Sequence, residues 1–415
     1  MAHPNRLARL RDIIAKTFTD TLKPAEGGLR HPYITPGGPY AKDLWDWDSY
    51  WTIRAIYGLA SLEQRTELLE TIRPHARGTL LNFLDHQGPD GALPIMIQAQ
   101  DPDPFDCLQG RDFNMAKPFV GQLAKLLLDQ HAFTPEELAP CVPKLLAYHR
   151  CYFDRYLDAK TGLVVWALDW GLGDDDDPAA WGRPHRSCAS VYLNTFLYAD
   201  MKGAAEVAEQ CGQTAIAEEY RTRIASLGDA IEKYCWDSRD QAYYSVDVQC
   251  RPNREKNHHF GTLNIGLEAF WSGLRIKVLT WMSALPFWAG LGNAAQLDAF
   301  IQNNLTPERL WSDHGVRSLS KDEPMYAPEV GRGNPSNWLG PIWLVANYII
   351  WEMLKQRGCS ALASQLAENV TTMLDDDLAA CGKFHEYYSP ETGLGVNAPG
   401  FMSWNALAAL MEGER

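Results

Sequence analysis

Apolar residues recur at helical spacing along almost the whole of this 415-residue chain. In the first such stretch, residues 4–18, the apolar positions at helical spacing are Leu7, Leu10, Ile13, Ile14 and Phe18. Similar stretches follow at 50–61, 63–86, 118–131, 135–158, 190–212, 214–235, 261–271, 276–291, 294–303, 340–357, 360–379 and 402–412. The pattern predicts about a dozen helices and no alternation of strands and helices of the kind that builds a parallel sheet.

Several of the predicted helices form pairs joined by short turns, with Gly212 inside one such turn and Gly358 inside another. Paired helices along one chain predict an all-α fold, an (α/α)6 barrel built as a toroid of helical hairpins. No charged or Pro/Ser-rich linker interrupts the pattern, so we expect one catalytic domain over residues 1–415. Residues 163–166 and 243–246 follow turn sequences and predict short β-hairpins within loops.

Long loops separate the helix pairs and hold most of the Trp, Tyr, Asp, Glu and Arg clusters. They cover residues 24–48, 87–117, 159–189, 236–260, 304–339 and 380–401. In a barrel of helical hairpins the long loops collect on one face and the short turns on the other. Because functional residues concentrate in loops held by a rigid scaffold, we expect one loop-rich face to carry the function.

Charge and cysteine usage narrow the class of protein. A net charge of −14 argues against nucleic acid and anionic membranes as partners. The nine cysteines form no CxxC or Cys/His spacing, which favours reduced thiols in a cytoplasmic protein over a disulfide frame or a metal site. No run of about 18 apolar residues predicts a membrane span. We expect no cofactor, and a homo-oligomer is compatible with the sequence.

Residues 45–51 read Trp-Asp-Trp-Asp-Ser-Tyr-Trp and follow the Pro-Gly-Gly turn at 36–38. Aromatic faces stack on the apolar C–H faces of sugar rings, and carboxylates accept hydrogen bonds from pairs of hydroxyls. This density of rings and acids therefore suggests a carbohydrate site. A buried helix start, in which the rings fill the core and the acids cap the helix, explains the same residues equally well.

Two acidic loops could supply catalytic groups. Asp174 to Asp177 are four consecutive acids, and mutual repulsion with partial burial would raise the pKa of at least one, as protonation of a glycosidic oxygen requires. A solvated acidic turn or a calcium loop is the alternative, although the alternating EF-hand spacing is missing. Glu386 lies beside Tyr387 and Tyr388 and could orient a water as a general base, or be a surface residue of a capped turn.

One acid, one base and aromatic walls are what hydrolysis of a glycosidic bond needs. The motifs of serine and cysteine nucleophiles and the phosphate-binding Walker loop are missing from the sequence. The two acidic loops and the aromatic cluster therefore favour acid–base hydrolysis of a glycosidic bond over these other chemistries.

The chain resembles glycoside hydrolase families 63 and 37, which are inverting α-glycosidases. Within family 63 it is most similar to the compact bacterial enzymes, such as mannosylglycerate and glucosylglycerate hydrolases. The resemblance is carried by Pro-Gly-Gly at 36–38, Trp-Asp-Ser-Tyr-Trp at 47–51, Gly-Asp-Asp-Asp-Asp-Pro at 173–178, Val-Tyr-Leu-Asn at 191–194, Gly-Val-Arg-Ser-Leu-Ser at 315–320, Trp-Leu-Gly-Pro-Ile-Trp at 338–343, Glu-Tyr-Tyr-Ser-Pro at 386–390 and Gly-Phe-Met-Ser-Trp at 400–404. These segments run in the order of the family. They imply an (α/α)6 barrel, inversion of configuration and no metal.

The resemblance assigns roles by position. Alignment on the proline of the acid loop implies Asp175 as the general acid, and a slip of one residue would choose Asp174 or Asp176. Glu386 corresponds to the general base. The residues expected to bind substrate are Tyr40, Trp45, Trp47, Asp48, Arg111, Lys117, Asp169, Trp338, Trp343, Tyr387 and Trp404. Among these, the Trp47–Asp48 and Trp338/Trp343 pairs would line the subsite of the cleaved sugar.

Departures from the family pattern bear on the substrate. Pro39 stands where the trehalase signature has arginine, and the trehalase Gln-Trp-Asp signature is missing, which argues against trehalose. Leu339 stands where the family's Trp-Arg-Gly-Pro segment has arginine. Lys117 stands where the family has glutamine, and it could bind an anionic aglycone such as glycerate, point to solvent or pair with Asp112. Arg111 and Arg332 are further candidate anion binders.

The sequence thus predicts an inverting α-glycosidase that acts on a small glucosyl- or mannosylglycerate-like glycoside or an α-gluco-disaccharide. One alternative is a sugar epimerase or an unsaturated-uronide hydrolase on the same barrel. An epimerase would use a histidine pair, and His258-His259 is the adjacent pair in the sequence. The other alternative is a catalytically silent carbohydrate-binding protein.

Overall fold

The computed structural model describes residues 4–249, 272–329 and 335–412. The α-helices of these residues are α1 (Pro4–Thr17), α2 (Asp46–Glu63), α3 (Thr66–Asp85), α4 (Val120–Asp129), α5 (Pro135–Leu138), α6 (Val142–Tyr156), α7 (Val191–Gln210), α8 (Thr214–Cys235), α9 (Leu285–Trp288), α10 (Ala294–Asn304), α11 (Leu344–Gln356) and α12 (Ser360–Cys381). Short 3-10 helices lie at Phe18–Thr21, Gly38–Tyr40, Cys107–Gln109, Ala139–Cys141, Trp281–Ala284 and Ser403–Leu410.

Six helical segments of the described residues form a closed inner ring. Going round it, α2 contacts α4, α4 contacts α7, α7 contacts α9, α9 contacts α11, and α11 contacts the 3-10 helix Ser403–Leu410, which returns to α2. Outer helices pack against this ring: α3 on α2, α6 and α8 on α7, and α12 on α11. Helix α1 lies against α12 and the closing 3-10 helix. This is the (α/α)6 barrel predicted from the sequence.

The position of a helix in the barrel explains how far its apolar residues extend around it. Inner helix α11 buries every residue from 344 to 350, because it is covered by the ring interior on one side and by α12 on the other. Outer helix α8 buries only a stripe that includes Ala217, Tyr220, Leu227 and Ile231, and leaves its other face to water.

A polar network with no solvent contact ties four helices together. Asp200 of α7 accepts hydrogen bonds from the backbone N–H groups of Gly121 and Gln122 on α4, at 3.1 and 2.7 Å. The Nε2 of His149 on α6 lies 2.9 Å from the same carboxylate, and its Nδ1 lies 2.9 Å from the hydroxyl of Tyr220 on α8. Buried polar groups are stable when each has a partner, so this network fixes the register of four neighbouring helices.

The strands are short, and all of those in the described residues except β1 and β9 lie in the predicted long loops. They are β1 (Leu22–Lys23), β2 (Tyr33–Ile34), β3 (Leu44–Trp45), β4 (Met96–Ile97), β5 (Cys188–Ala189), β6 (Trp236–Asp237), β7 (Ala242–Tyr243), β8 (Ser245–Asp247) and β9 (Leu274–Ile276). Each pair is antiparallel: β1 with β2, β3 with β4, β6 with β7, and β8 between β5 and β9. The β3–β4 pair sets Trp45 opposite Met96 and so joins the start of α2 to the loop before α4.

Three predicted elements differ in the structure. The predicted helix 276–291 is wrong, because β9 ends at Ile276 and only a short 3-10 turn and α9 follow. Its apolar run comes from burial in the inner ring, and a short buried run does not distinguish a helix from an extended segment. The predicted helix 402–412 is mainly 3-10, and residues 163–166 form a single bridge, between Val164 and Leu157.

The predicted helix 261–271 and the pair His258-His259 lie outside the described residues. Within the described ranges, no helix is long and apolar enough to cross a membrane. The eight cysteines of those ranges are free thiols, five of them buried.

Candidate active site

A cavity of about 310 Å³ opens among the long loops. Its wall is formed by Pro36, Tyr40, Trp45, Trp47, Asp48, Ile95, Phe105, Lys117, Trp170, Gly171, Gly173, Asp175, Ser336, Glu386, Phe401 and Trp404. These residues come from five of the six long loops, from the first turn of α2 and, in the case of Trp404, from the 3-10 helix Ser403–Leu410. The loops of different helix pairs therefore meet at one place, as the barrel topology predicts.

The structure separates the four consecutive acids of the 174–177 loop. Asp174 accepts a hydrogen bond from the indole Nε1 of Trp281 at 2.9 Å, and Asp176 accepts one from the backbone N–H of Trp338 at 2.7 Å. Asp175 alone among the four lines the cavity. Its neighbours anchor the loop to the inner ring and to the 335–343 segment.

The last acid of the loop, Asp177, closes a turn by accepting a hydrogen bond from the backbone N–H of Ala179 at 2.9 Å. Gly173, on the other side of the acids, has φ of +92°, a left-handed conformation that favours glycine. A Cβ there would lie 2.7 Å from the hydroxyl of Tyr192 and 3.4 Å from Cε2 of Trp47. The acid loop can approach the cavity wall this closely only because Gly173 carries no side chain.

The environment of Asp175 favours a protonated carboxyl. Removal from water raises the pKa of Asp175. The positive charge of Lys117 and hydrogen bonds from the backbone of Gly173 and the hydroxyl of Ser336 oppose that rise without cancelling it. Asp175 thus has the raised pKa that a general acid needs.

Glu386 lies on the same cavity and is only 4% exposed. Asn397 donates to its Oε2 at 2.8 Å, and the hydroxyl of Tyr40 lies 3.5 Å from the same oxygen. Burial raises the pKa of Glu386 to about 7, with a further contribution from the negative charge of Asp175. The indole of Trp404 donates to the backbone carbonyl of Glu386 at 3.0 Å and so fixes the residue at the cavity.

One wall of the cavity is a chain of aromatic rings in edge or tilted contact. Phe401 contacts Tyr40 at a centroid distance of 5.9 Å, Tyr40 contacts Trp45 at 6.1 Å, and Trp45 contacts Phe105 at 5.9 Å. Phe105 in turn contacts Trp170 at 5.7 Å. Rings that meet at their edges leave faces available for a sugar.

The aromatic–acid cluster at 45–51 serves both purposes that the sequence suggested. Trp45, Trp47 and Asp48, from the strand end and first turn of α2, line the cavity. Tyr50 and Trp51, which come later on α2, are 2% and 0% exposed and fill the core. The start of an inner helix thus supplies the cavity with rings while its continuation supplies the barrel interior.

Lys117 is neither in solvent nor paired with Asp112. Its Nζ lies 3.0 Å from Oδ1 of Asp46, and both side chains are 3% exposed. Its backbone N–H also donates to Oδ2 of Asp46 at 2.7 Å. Lys117 lines the cavity, so a buried ion pair forms part of the wall.

Five residues predicted to bind substrate do not line this cavity. The rings of Trp338 and Trp343 stack, with centroids 3.8 Å apart and an angle of 5° between their planes. Each ring therefore covers one face of the other. Tyr387 packs on Trp343 at 4.9 Å and donates its hydroxyl to the carbonyl of Pro335. These three rings are almost completely buried behind the wall and support it.

The other two are polar. Asp169 accepts a hydrogen bond from the backbone N–H of Gly182 and so holds the acid loop in shape. Arg111 lines a separate cavity of about 330 Å³, together with His185 and Arg186. Arg332, the other predicted anion binder, lies outside the described residues.

Several cavity residues were not predicted. Phe105, Trp170 and Phe401 lie in the predicted long loops, and Trp170 directly follows Asp169, so loop aromatics were the signal that could have found them. Asn397 and Ser336 carry no sequence signal, because their role depends only on which carboxyl they reach.

Comparison with known proteins agrees with this geometry. The model of the mannosylglycerate hydrolase MGH1-like glycoside hydrolase domain matches residues 41–404. The mannosylglycerate hydrolase of Thermus thermophilus is 27% identical over 385 residues, which cover 80% of this chain and 87% of that protein. Mannosylglycerate hydrolase MGH1 of Selaginella moellendorffii is 26% identical over 302 residues, covering 65% of this chain and 59% of that one.

Two solved structures show the same fold. The family 63 mannosylglycerate hydrolase of Thermus thermophilus in complex with glucose superposes with a TM-score of 0.68 at 22% identity, covering 97% of this chain and 99% of that chain. Neutral trehalase Nth1 of Saccharomyces cerevisiae gives 0.62 at 15% identity, with 92% and 73% covered. The fold and the glycoside hydrolase activity predicted from the sequence are confirmed, and the chain belongs to the mannosylglycerate hydrolase MGH1-like family of glycoside hydrolases.

Proposed function

We propose that this protein hydrolyses the α-glycosidic bond of a small glycoside with inversion of configuration, with Asp175 as general acid and Glu386 as general base. The observation that carries the proposal is that these two carboxyls line one aromatic-walled cavity while the other acids of the 174–177 loop are engaged elsewhere. In such a mechanism the acid protonates the leaving oxygen as the base deprotonates the attacking water.

The acid step needs a carboxyl that is protonated at working pH. Burial raises the pKa of Asp175, and Lys117 limits the rise, so the group can hold a proton and still release it to the leaving oxygen. Once the bond is broken, the proton of Asp175 resides on the released aglycone hydroxyl.

The base step needs a carboxylate that is held in place and can reach a water. Among the described residues, Asn397 and Tyr40 both reach Oε2 of Glu386. That arrangement leaves Oε1 to accept the proton of the attacking water. A pKa of about 7 places Glu386 where general base catalysis is efficient at neutral pH.

The cavity favours a small substrate. Its volume of about 310 Å³ lies at the low end of the usual range for ligand sites, and its aromatic wall suits a sugar ring. Relatives named mannosylglycerate hydrolase support a glucosyl- or mannosylglycerate-like glycoside, and an α-gluco-disaccharide fits the same dimensions. We also propose one catalytic domain over residues 1–415 and, from the free thiols, a cytoplasmic location.

The experiment is a screen for released monosaccharide with glucosylglycerate, mannosylglycerate, trehalose, kojibiose and nigerose, followed by NMR of the anomer first formed. We expect hydrolysis of at least one substrate with inversion. Asp175→Asn and Glu386→Gln should each lower kcat by about 10³-fold or more, a loss of the order expected when both proton transfer and charge stabilisation are removed.

Asp176→Asn and Asp177→Asn are the matched controls, since they remove the same charge from the same loop. They should keep kcat within about tenfold, because the amide oxygen of asparagine can still accept the backbone N–H bonds from Trp338 and Ala179 that anchor the loop. A retained anomer would overturn inversion, and a larger loss in a control than in Asp175→Asn would reassign the acid. Turnover that survives both catalytic substitutions would favour an epimerase, and binding without any turnover would favour a silent sugar-binding protein.

A further inference from the structure

The wall of the cavity contains a cation that is held by a carboxylate from another loop. Asp46, the first residue of α2, uses Oδ1 to accept the backbone N–H of Trp47 at 2.7 Å and to contact Lys117 Nζ at 3.0 Å. Its Oδ2 accepts the backbone N–H of Lys117 at 2.7 Å. Each oxygen of Asp46 therefore has a partner, and both the backbone and the ammonium of Lys117 are fixed.

Two further carboxyls, those of Asp48 and Asp175, line the same cavity as this ammonium. Besides its contact with Asp46, the positive charge of Lys117 lowers the pKa values of Asp48 and Asp175, which burial raises. The neutral phenol of Tyr192 lies nearby, since both its hydroxyl and Cδ of Lys117 are within 3.2 Å of the place where a Cβ of Gly173 would be. Among the described residues that line the cavity, Lys117 is the basic one.

This surrounding is unfavourable for an anionic ligand. A free lysine in a cavity attracts a carboxylate, whereas the charge of Lys117 is already opposed by the acids around it. An incoming glycerate group near Nζ would also face Asp48 and the catalytic pair. The buried ammonium instead lowers the free-energy cost of burying several carboxyls close together.

We propose that Lys117, held by Asp46, is a positioning residue that sets the protonation of the acid Asp175 and does not bind the anionic part of the substrate. The proposal rests on the proposed function, because it assigns Lys117 a role through Asp175. Asp46 is the partner that holds the cation in the wall of the cavity that Asp175 lines, and Asp48 is a further carboxyl of that wall.

The first test is the pH dependence of kcat/KM for Lys117→Gln, with Lys125→Gln as the matched control. Lys125 pairs with Asp129 outside this cavity, so the control variant loses the same charge at a different place. Loss of the cation should raise the pKa of Asp175 and move the descending limb of the profile to higher pH, by about one unit. The ascending limb, set by Glu386, should stay near pH 7. An unmoved descending limb would overturn the proposal.

The second test separates positioning from substrate binding. It compares α-glucosylglycerate with α-glucosylglycerol, which is the same glycoside with a neutral group in place of the carboxylate. We expect Lys117→Gln to change KM for the two compounds by the same factor. If Lys117 bound the glycerate carboxylate, KM would rise about tenfold or more for the charged compound alone, and the proposal would be wrong.

Two further measurements keep the test decisive. Asp46→Asn/Lys117→Gln removes both charges together and serves if the single variant does not fold, because Lys117→Gln alone leaves Asp46 buried without its ion partner. Difference infrared titration of the carboxyls, with Asp175→Asn as reference, reads the protonation of Asp175 without turnover. If the titration of Asp175 shifts in Lys117→Gln but Asp175→Asn does not lower activity, the proposed function is refuted and the effect of Lys117 stands. If the titration of Asp175 does not shift in Lys117→Gln, the role of Lys117 is refuted.

Discussion

Asn397 donates its amide N–H to Oε2 of Glu386 at 2.8 Å. This bond joins the proposed base to a residue that follows it in the same loop. It favours the ionised form of the Glu386 carboxyl, which burial disfavours. Burial and the negative charge of Asp175 raise the pKa of Glu386, and the hydrogen bonds from Asn397 and Tyr40 lower it.

Removal of that amide should shift the pH profile. In Asn397→Ala the pKa of Glu386 rises above about 7, so the ascending limb of kcat/KM moves to higher pH, by about half to one unit. Activity falls most at pH 6 and recovers toward pH 8. Asn303→Ala, which changes an exposed asparagine of α10, should leave the limb in place. A uniform loss at every pH would contradict this account.

The close approach at Gly173 can be tested apart from backbone strain. Gly173→Ala should lower kcat by about tenfold or more, because its Cβ would meet the hydroxyl of Tyr192 at 2.7 Å and displace the acid loop. Gly182→Ala is the control, since Gly182 also has a positive φ, of +70°, and nothing lies within 4 Å of its Cβ position. Equal losses in the two variants would mean that strain, and not the contact, is responsible.

Glu386 should lower the stability of the fold at high pH. Its pKa is about 7 when folded against 4.5 for the free side chain, so between these values the folded chain binds more protons than the unfolded chain. Stability is therefore lost as the pH rises through this window. Glu386→Gln should remove the loss and increase the free energy of unfolding at pH 8 relative to pH 5, by up to about 3 kcal/mol. Urea unfolding at both pH values measures it, and a gain that is the same at both would refute the cause.

The buried network of Asp200 predicts a stability effect distant from catalysis. Asp200→Ala leaves two backbone N–H groups and His149 without their acceptor, so the free energy of unfolding should fall by about 3 kcal/mol or more. Asp129→Ala, which removes the exposed partner of Lys125, should cost less than about 1 kcal/mol. Thermal and denaturant unfolding report the difference, and equal costs would contradict the role assigned to the network.

The barrel was predictable because helical periodicity is a local property. Both helices that Gly212 separates appear within a few residues of their predicted ends. The segment 276–291 was not predictable in the same way, since most of its side chains are apolar and buried in the inner ring, and a continuous apolar run lacks the periodicity that marks a helix.

The site was predictable only in part, because residue type does not reveal direction. Trp338 and Trp47 belong to equally aromatic segments, yet one is stacked behind the wall and the other forms it. The choice of Asp175 within a run of four acids depends on partners from distant segments, such as Trp281 for Asp174. Lys117 meets Asp46 across 71 residues of chain, and nothing in either local sequence indicates that contact.

The stacked indoles of Trp338 and Trp343 give the barrel an optical property of its own. Two chromophores held parallel at 3.8 Å couple their electronic transitions, and Trp281 continues the stack at 5.9 Å from Trp338. The backbone N–H of Trp338 also donates a hydrogen bond to Asp176 of the acid loop. Near-ultraviolet circular dichroism of this pair would therefore report, without any added probe, whether the acid loop is seated on the barrel.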